Sequence, residues 1–355
     1  MMTVRGQYTI EEILSQPDVW EAVLGSFGDY QAEVEKQWMK LRPSQILFIG
    51  CGSTYYLSQI AASLFMDLTG IRSSASPSSE LLLNPSIALD DAHHTLLVAI
   101  SRSGTTTETL QAVKRFRSLG GQAVWGIGCY ADSELMLTSD FRLVAEAAHE
   151  QSVAQTRSFS SMLLLVKAFA ATVAELGLDY LNLLPDQLRK MFDMTSELSS
   201  ALGQRLDLER MFFLGSGFQY GVANEAMLKM KEMSLTNSEG YHFLEFRHGP
   251  MSMANEKALV IGLVDHNAHQ HEERVMREMR QFGALTWGIN SSEGDCCHYQ
   301  IAFNADRPAW TLPALYLPPL QLLAYNRAMA KGLNPDNPRN LSAVVSLDPA
   351  VFVGE

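Results

Sequence analysis

The sequence predicts an α/β protein of two related halves, each a parallel sheet with helices on both faces. Three observations carry this. Short apolar runs such as ILFIG and LLVAIS each end in a glycine or hydroxyl turn and lead into helical sequence, the rhythm of consecutive βα units. The segment FIGCGSTY at Phe48–Tyr55 returns as FLGSGFQY at Phe213–Tyr220, each time before an Ala- and Leu-containing helix. A second apolar run follows each copy at nearly the same offset, LLVAIS from Leu96 and ALVIGLV from Ala258, so a duplicated domain explains the pattern better than a coincident turn.

In chain order, residues 1–40 read as a helical lead-in of two helices punctuated by Pro17 and Gly25. Residues 41–185 form the first domain, with strands ending at Gly50, Ser101 and about Gly128. Residues 186–335 form the second, the halves meeting near Leu184 to Leu206, and residues 336–355 are a tail expected near the active site. Ligands of such sheets bind beyond the carboxyl ends of the strands. The loops to inspect are therefore CGST, SRSGTTTET and the segment after Ala145.

Composition narrows the function. Across 355 residues, 47% are hydrophobic and 19% charged, enough apolar material for sizeable cores. A formal net charge of −12 argues against a general nucleic-acid or acidic-membrane surface. The N-terminal TIEEILSQPDVW lacks the basic start and apolar run of a signal peptide, and no apolar stretch reaches bilayer length, so a cytoplasmic protein is expected. Cys51, Cys129, Cys296 and Cys297 show no metal-ligand spacing, and neither a metal nor a cofactor is called for.

The loop Ser101-Arg102-Ser103-Gly104-Thr105-Thr106-Thr107 lies between an apolar strand and the helix TETLQAVKRFRSLGG, closed by Gly120 and Gly121. One hydroxyl there would be an ordinary N-cap. Five hydroxyl residues around one glycine instead suit a phosphate, which is met by unpaired backbone N–H groups and the positive helix end. The Lys of a Walker loop is missing, which argues against a nucleotide triphosphatase. Cys51, Gly52, Ser53 and Thr54 stand at the adjacent strand end, where they either meet sugar hydroxyls or the same phosphate, or form only a tight βα turn. Cys51 has no His or Lys in its motif to lower its pKa and reads as a small buried residue.

In the second half, ANEAMLKMKEMS puts Glu225, Lys229 and Glu232 on one helix face, with Ala226, Met230 and Met233 turned to a core. Alone, this is a solvated Glu–Lys stripe. The sequel EFRHGP adds Glu245, Arg247 and His248 before a Gly-Pro turn. Moving a carbonyl between C1 and C2 of a sugar phosphate needs a base that carries a proton between neighbouring carbons and an acid–base group that opens the ring; Glu232 and His248 fit these roles.

FIGCGST, SRSGTTTET, EQSVAQTRSF, EAMLKMKE and EFRHGP, in that order, resemble the tandem sugar isomerase (SIS) domain family, in particular the isomerase part of glucosamine-6-phosphate synthase. The resemblance implies two SIS domains, each a doubly wound parallel sheet. It places Ser101, Arg102, Ser103 and Thr106 around the phosphate and Gly52, Ser53, Thr54, Val153 and Gln155 at the sugar. It makes Glu232 the acid–base glutamate, Lys229 its helix lysine, and His248 the ring-opening histidine, supplied by a neighbouring subunit, so that at least a homodimer with a shared active site is implied. Two departures stand out. A cysteine-initiated glutaminase domain is not seen, and the tail Pro338-Arg339-Asn340-Leu341-Ser342 continues with Ala343 where the family's synthases have a Schiff-base lysine. Lys331 reads as a solvated helix-end residue. EFRHGP resembles the deglycase form of the histidine loop. The expected function is therefore a phosphosugar isomerase/deaminase or deglycase working on an amino- or amine-linked hexose 6-phosphate. The alternatives are a simple aldose–ketose phosphate isomerase and a non-catalytic sugar-phosphate sensor, the latter disfavoured by the lack of an evident helix-turn-helix or basic patch.

Overall fold

A computed structural model describes residues 4–291, 294–303 and 307–345. The chain divides into two compact units. One comprises residues 14–151, 155–186 and the segment from Ser342; the other comprises residues up to Ile13, residues 152–154 and residues 187–341.

The first unit is built on a five-stranded parallel sheet, β1 (Gln45–Gly50), β2 (Arg72–Pro77), β3 (Thr95–Ile100), β4 (Ala123–Gly128) and β5 (Phe141–Val144), in the order β2-β1-β3-β4-β5. β1, β3 and β4 are apolar and buried because helices cover both faces. Alternate residues divide between the faces. Leu47, Ile49, Leu97, Ala99 and Val124 pack with Leu110, Val113 and Phe116 of helix Thr107–Ser118. On the other face Phe48 meets Phe65, and Phe65 and Trp125 both meet Phe169. Phe169 belongs to helix Arg157–Val173, which is buried along nearly its whole length.

Helix Gln16–Leu41 covers that helix. It buries Trp20, Val23, Leu24, Phe27 and Val34, and the Trp20 indole N–H donates to Ser160 Oγ at 2.9 Å. The expected break at Gly25 is absent. The helix runs through Gly25 and Gly28, a cost of roughly 1 kcal/mol each that the buried aromatic face outweighs.

The second unit repeats the design with β6 (Arg210–Gly215), β7 (Asn237–Tyr241), β8 (Ala258–Leu263), β9 (Leu285–Ile289) and β10 (Tyr299–Ile301), all parallel, in the order β10-β9-β8-β6-β7. Read from its other edge, this is the order of the first sheet. Phe212, Leu214 and Val260 pack on Val275, Met276 and Met279 of helix His269–Gln281, while helix Phe218–Ser234 packs with helix Pro313–Ala330. The glycine turns match: Gly52 has φ 56° and ψ −123°, Gly217 φ 55° and ψ −131°. A side chain at either place would be strained, which explains the duplicated glycines.

No helix among the described residues is long and apolar enough to cross a membrane. Among the same residues, no group of three or more His, Cys, Asp or Glu side chains is placed to hold a metal ion. Residues 346–355 of the expected tail lie outside the described residues.

Candidate functional site

The hydroxyl-rich loop leaves β3 at its carboxyl end and turns into helix Thr107–Ser118. Ser101 Oγ accepts the Gly104 N–H at 3.1 Å and lies 3.2 Å from Thr106 Oγ1. Ser103 Oγ accepts the Thr105 N–H at 3.2 Å and its hydroxyl at 3.1 Å. The hydroxyls therefore shape the loop. Thr106 occupies the N-cap position without using its side chain to cap the helix, so the positive helix end is left for an anion. Gly104 has φ 65°, and a Cβ there would come within 2.0 Å of Ser133 Oγ, so the turn requires glycine.

Arg102 is held by neighbours within this unit. Its Nη1 donates to Glu150 Oε2 at 3.2 Å and its Nη2 to the Ala343 carbonyl at 2.9 Å. Glu150, whose side chain is fully buried, also accepts from Thr156 N–H (2.7 Å), Thr156 Oγ1 (2.8 Å), Ser158 N–H (3.1 Å) and Ser158 Oγ (2.5 Å). One carboxylate thus caps helix Arg157–Val173 and anchors the arginine of the hydroxyl-rich loop. Sequence reading passed over Glu150. The available signal was an acidic residue shortly before a Thr- and Ser-containing helix start.

At the neighbouring strand end, Thr54 Oγ1 accepts the Cys51 N–H at 2.9 Å and donates to the Cys51 carbonyl at 3.0 Å, so this hydroxyl closes the βα turn. Ser53 is buried beside it. Cys51 is half-buried rather than buried as expected; its Sγ lies 3.6 Å from Thr109 Oγ1, and desolvation pushes its thiol pKa up. Gln155 Oε1 is buried without a hydrogen-bond partner among the described residues. Val153 lies in the other unit, where its N–H donates to the Asp336 carbonyl at 3.0 Å.

In the second unit, helix Phe218–Ser234 carries the charged face, and it is buried. Lys229 Nζ is 2.5 Å from Glu232 Oε2 and 3.2 Å from Glu225 Oε1, with side-chain exposures of 1% for Lys229, 0% for Glu225 and 19% for Glu232. A solvated stripe is excluded by those figures. Burial alone would lower the Lys229 pKa, but the Glu225 and Glu232 carboxylates outweigh it and raise it. Of the three charges, Glu232 alone has access to solvent. His248 follows the turn Glu245–Arg247, is exposed, and donates its backbone N–H to the Glu245 carbonyl at 2.9 Å. Arg247 is fixed by a bidentate pair to Glu278, at 2.8 and 2.7 Å.

Lys331 is the exposed residue expected at the end of helix Pro313–Ala330, and its ammonium is also engaged. Its Nζ donates to the Ser234 carbonyl at 3.0 Å and to Thr236 Oγ1 at 2.8 Å, sealing the end of helix Phe218–Ser234, where Leu235 adopts φ 49°.

Two parallel sheets of equal strand order, with a hydroxyl-lined helix start in one and a buried carboxylate–lysine cluster in the other, define a duplicated α/β protein. The chain belongs to the SIS domain family, whose model matches residues 41–172 and 207–330. Among curated proteins it is 27% identical over 358 residues to a glutamine–fructose-6-phosphate aminotransferase (isomerizing) of Methanothermobacter thermautotrophicus, covering 96% of this chain and 58% of that protein. The corresponding Pseudomonas putida protein is 30% identical over 372 residues, covering 96% and 59%. The chain thus spans about three fifths of the length of these curated relatives and is homologous to their isomerase part. Among solved structures, a glucosamine-6-phosphate deaminase from Thermotoga maritima superposes with a TM-score of 0.81 at 28% identity, over 96% of this chain and 100% of that one. A tagatose-6-phosphate ketose/aldose isomerase from Escherichia coli, with a TM-score of 0.85 at 23% identity over 94% and 96%, shares the fold.

Proposed function

We propose that the chain opens and isomerises an amino- or amine-linked hexose 6-phosphate and releases its nitrogen. The phosphate binds at Ser101, Ser103 and Thr106, on the open start of helix Thr107–Ser118. Arg102, tethered to Glu150, adds positive charge beside that loop. Glu232 carries the proton between C1 and C2, and His248, from a neighbouring subunit of a homodimer, assists ring opening.

The observation that carries this reading is the asymmetry of the buried cluster. Lys229 and Glu225 are sealed, whereas Glu232 keeps 19% of its side chain exposed while held at 2.5 Å by a permanent cation. That arrangement fixes a carboxylate in place and leaves it one route for proton exchange. The exposure of His248 supports a role toward another chain, and the methyl side chain of Ala343 leaves no amine there for a Schiff base. An enzyme without that lysine suits a substrate that already carries its nitrogen, as the likeness to the deaminase also suggests.

The test offers glucosamine 6-phosphate and fructosamine 6-phosphates to the purified protein and follows ammonia, free amine and hexose phosphate. Release of nitrogen, lost in Glu232→Gln, is expected. Isomerised product without released nitrogen would indicate a simple aldose–ketose isomerase. Binding without turnover would indicate a sensor.

A further inference from the structure

The two sheets can be aligned strand by strand from their registers. Gln45 pairs Thr95 in the first and Arg210 pairs Ala258 in the second, so β3 and β8 are equivalent and Asp265 stands at the position of Arg102. Ser216 likewise takes the place of Cys51, before the equivalent glycines Gly52 and Gly217. The second unit therefore repeats the backbone of the anion crevice, including a helix start, at His269, just beyond the strand.

Its contents are of opposite charge. Glu272, in the first turn of helix His269–Gln281 and 1% exposed, receives the Asp265 backbone N–H on Oε2 at 2.6 Å, with the Ser216 hydroxyl beside it. Asp265 receives Gln219 Nε2 on Oδ2 at 2.9 Å and the Asn267 N–H on Oδ1 at 2.7 Å. Two further oxygens of this cluster, Glu272 Oε1 and Oε1 of the 1%-exposed Gln219, are buried without hydrogen-bond partners among the described residues. His269 on the same helix and the buried Tyr316 of helix Pro313–Ala330 are the other titratable groups that feel these carboxylates. A helix start, a donated backbone N–H and a hydroxyl are the donors an anion would use. Here the chain's own carboxylate uses them.

We propose that the second unit is an anion site plugged by Glu272, with Asp265 beside it repelling any competing anion, so that each chain takes phosphate in its first unit alone. This rests on the reading of the first unit as the phosphate site. An external dianion would have to displace Glu272 and lie against Asp265, with no arginine at that position to compensate. Burial pushes the Glu272 carboxyl up to about 7, against the lowering effect of the Ser216 hydroxyl and the Asp265 N–H, with a smaller upward push from the Asp265 charge.

The test is crystallographic occupancy by inorganic phosphate, read separately in each unit of the full chain, with equilibrium dialysis of labelled phosphate for stoichiometry. In the wild type, phosphate is expected on residues 101–107 and not at the second crevice. The Asp265→Ser/Glu272→Ser double variant should gain a second phosphate on the backbone N–H at position 265, raising the stoichiometry from one to two. Phosphate at the second crevice of the wild type, or a folded double variant that gains none there, would overturn the plug. The wild-type occupancy decides by itself if the double variant does not fold. A first unit empty of phosphate would count against the functional reading and leave the second-unit result to be read on its own.

Discussion

Lys229 Nζ and Glu232 Oε2 lie 2.5 Å apart in a helix face that is otherwise shut off from solvent, with Glu225 closing the other side of the ammonium. A cation between two carboxylates neutralises part of a charge that the apolar surroundings could not tolerate. Removing it has a defined consequence. Lys229→Met should destabilise the protein by about 3–5 kcal/mol, because two carboxylates then face each other in a desolvated place. Adding Glu225→Gln should recover part of that loss. Urea denaturation of the single and double variants measures both.

Glu150 predicts a second effect. Glu150→Ala leaves the Arg102 guanidinium and the Thr156 and Ser158 donors without their common acceptor, all in a buried place. The expected cost is again about 3–5 kcal/mol, with weaker phosphate binding as Arg102 loses its anchor. Glu150→Gln keeps the shape and should lose less. Denaturation midpoints and phosphate titrations of both variants check the order.

The two glycine turns separate strain from collision. Gly104→Ala forces a Cβ to 2.0 Å from Ser133 Oγ at φ 65°, whereas Gly52→Ala at φ 56° meets nothing within 4 Å. Both pay a positive-φ strain penalty of about 1–3 kcal/mol. Gly104→Ala should additionally distort the anion loop, so its phosphate affinity should fall by the larger factor. Calorimetric titration with inorganic phosphate compares the two.

Glu272 sets a pH dependence of stability. Its folded-state pKa, about 7, lies above the ordinary 4.5 because burial disfavours the charged carboxylate. The unfolded chain therefore gives up this proton first. The contribution of Glu272 to stability is complete below the unfolded value and is lost as pH rises through the folded one. Glu272→Gln should leave stability unchanged near pH 4 and raise it at pH 8, by on the order of 2–3 kcal/mol. Thermal melts across that range would show it.

The central strands were legible in the sequence because both their faces are buried: β1, β3, β4, β6 and β8 are continuous apolar runs. The edge strands were not. RSSASP of β2 and NSEGY of β7 are polar, partly exposed and paired on one side only, so neither hydrophobicity nor strict alternation marks them. The place of the hydroxyl-rich loop, between an apolar strand and a helix start, could be read from the sequence. The tether of Arg102 to Glu150 could not, since it joins residues 48 apart in sequence. Spacing placed Glu225, Lys229 and Glu232 on one face but could not say that the face was buried, which depends on tertiary packing remote in sequence.

The proton transfer assigned to Glu232 can be followed with glucosamine 6-phosphate carrying deuterium at C2. The account predicts that the wild type moves the label to C1 or to solvent as nitrogen is released, and that Glu232→Gln, still binding phosphate, does so at least 100-fold more slowly, an effect on the order of that expected for loss of a general base. Product retaining deuterium at C2, or a Glu232→Gln enzyme as fast as the wild type, would contradict it.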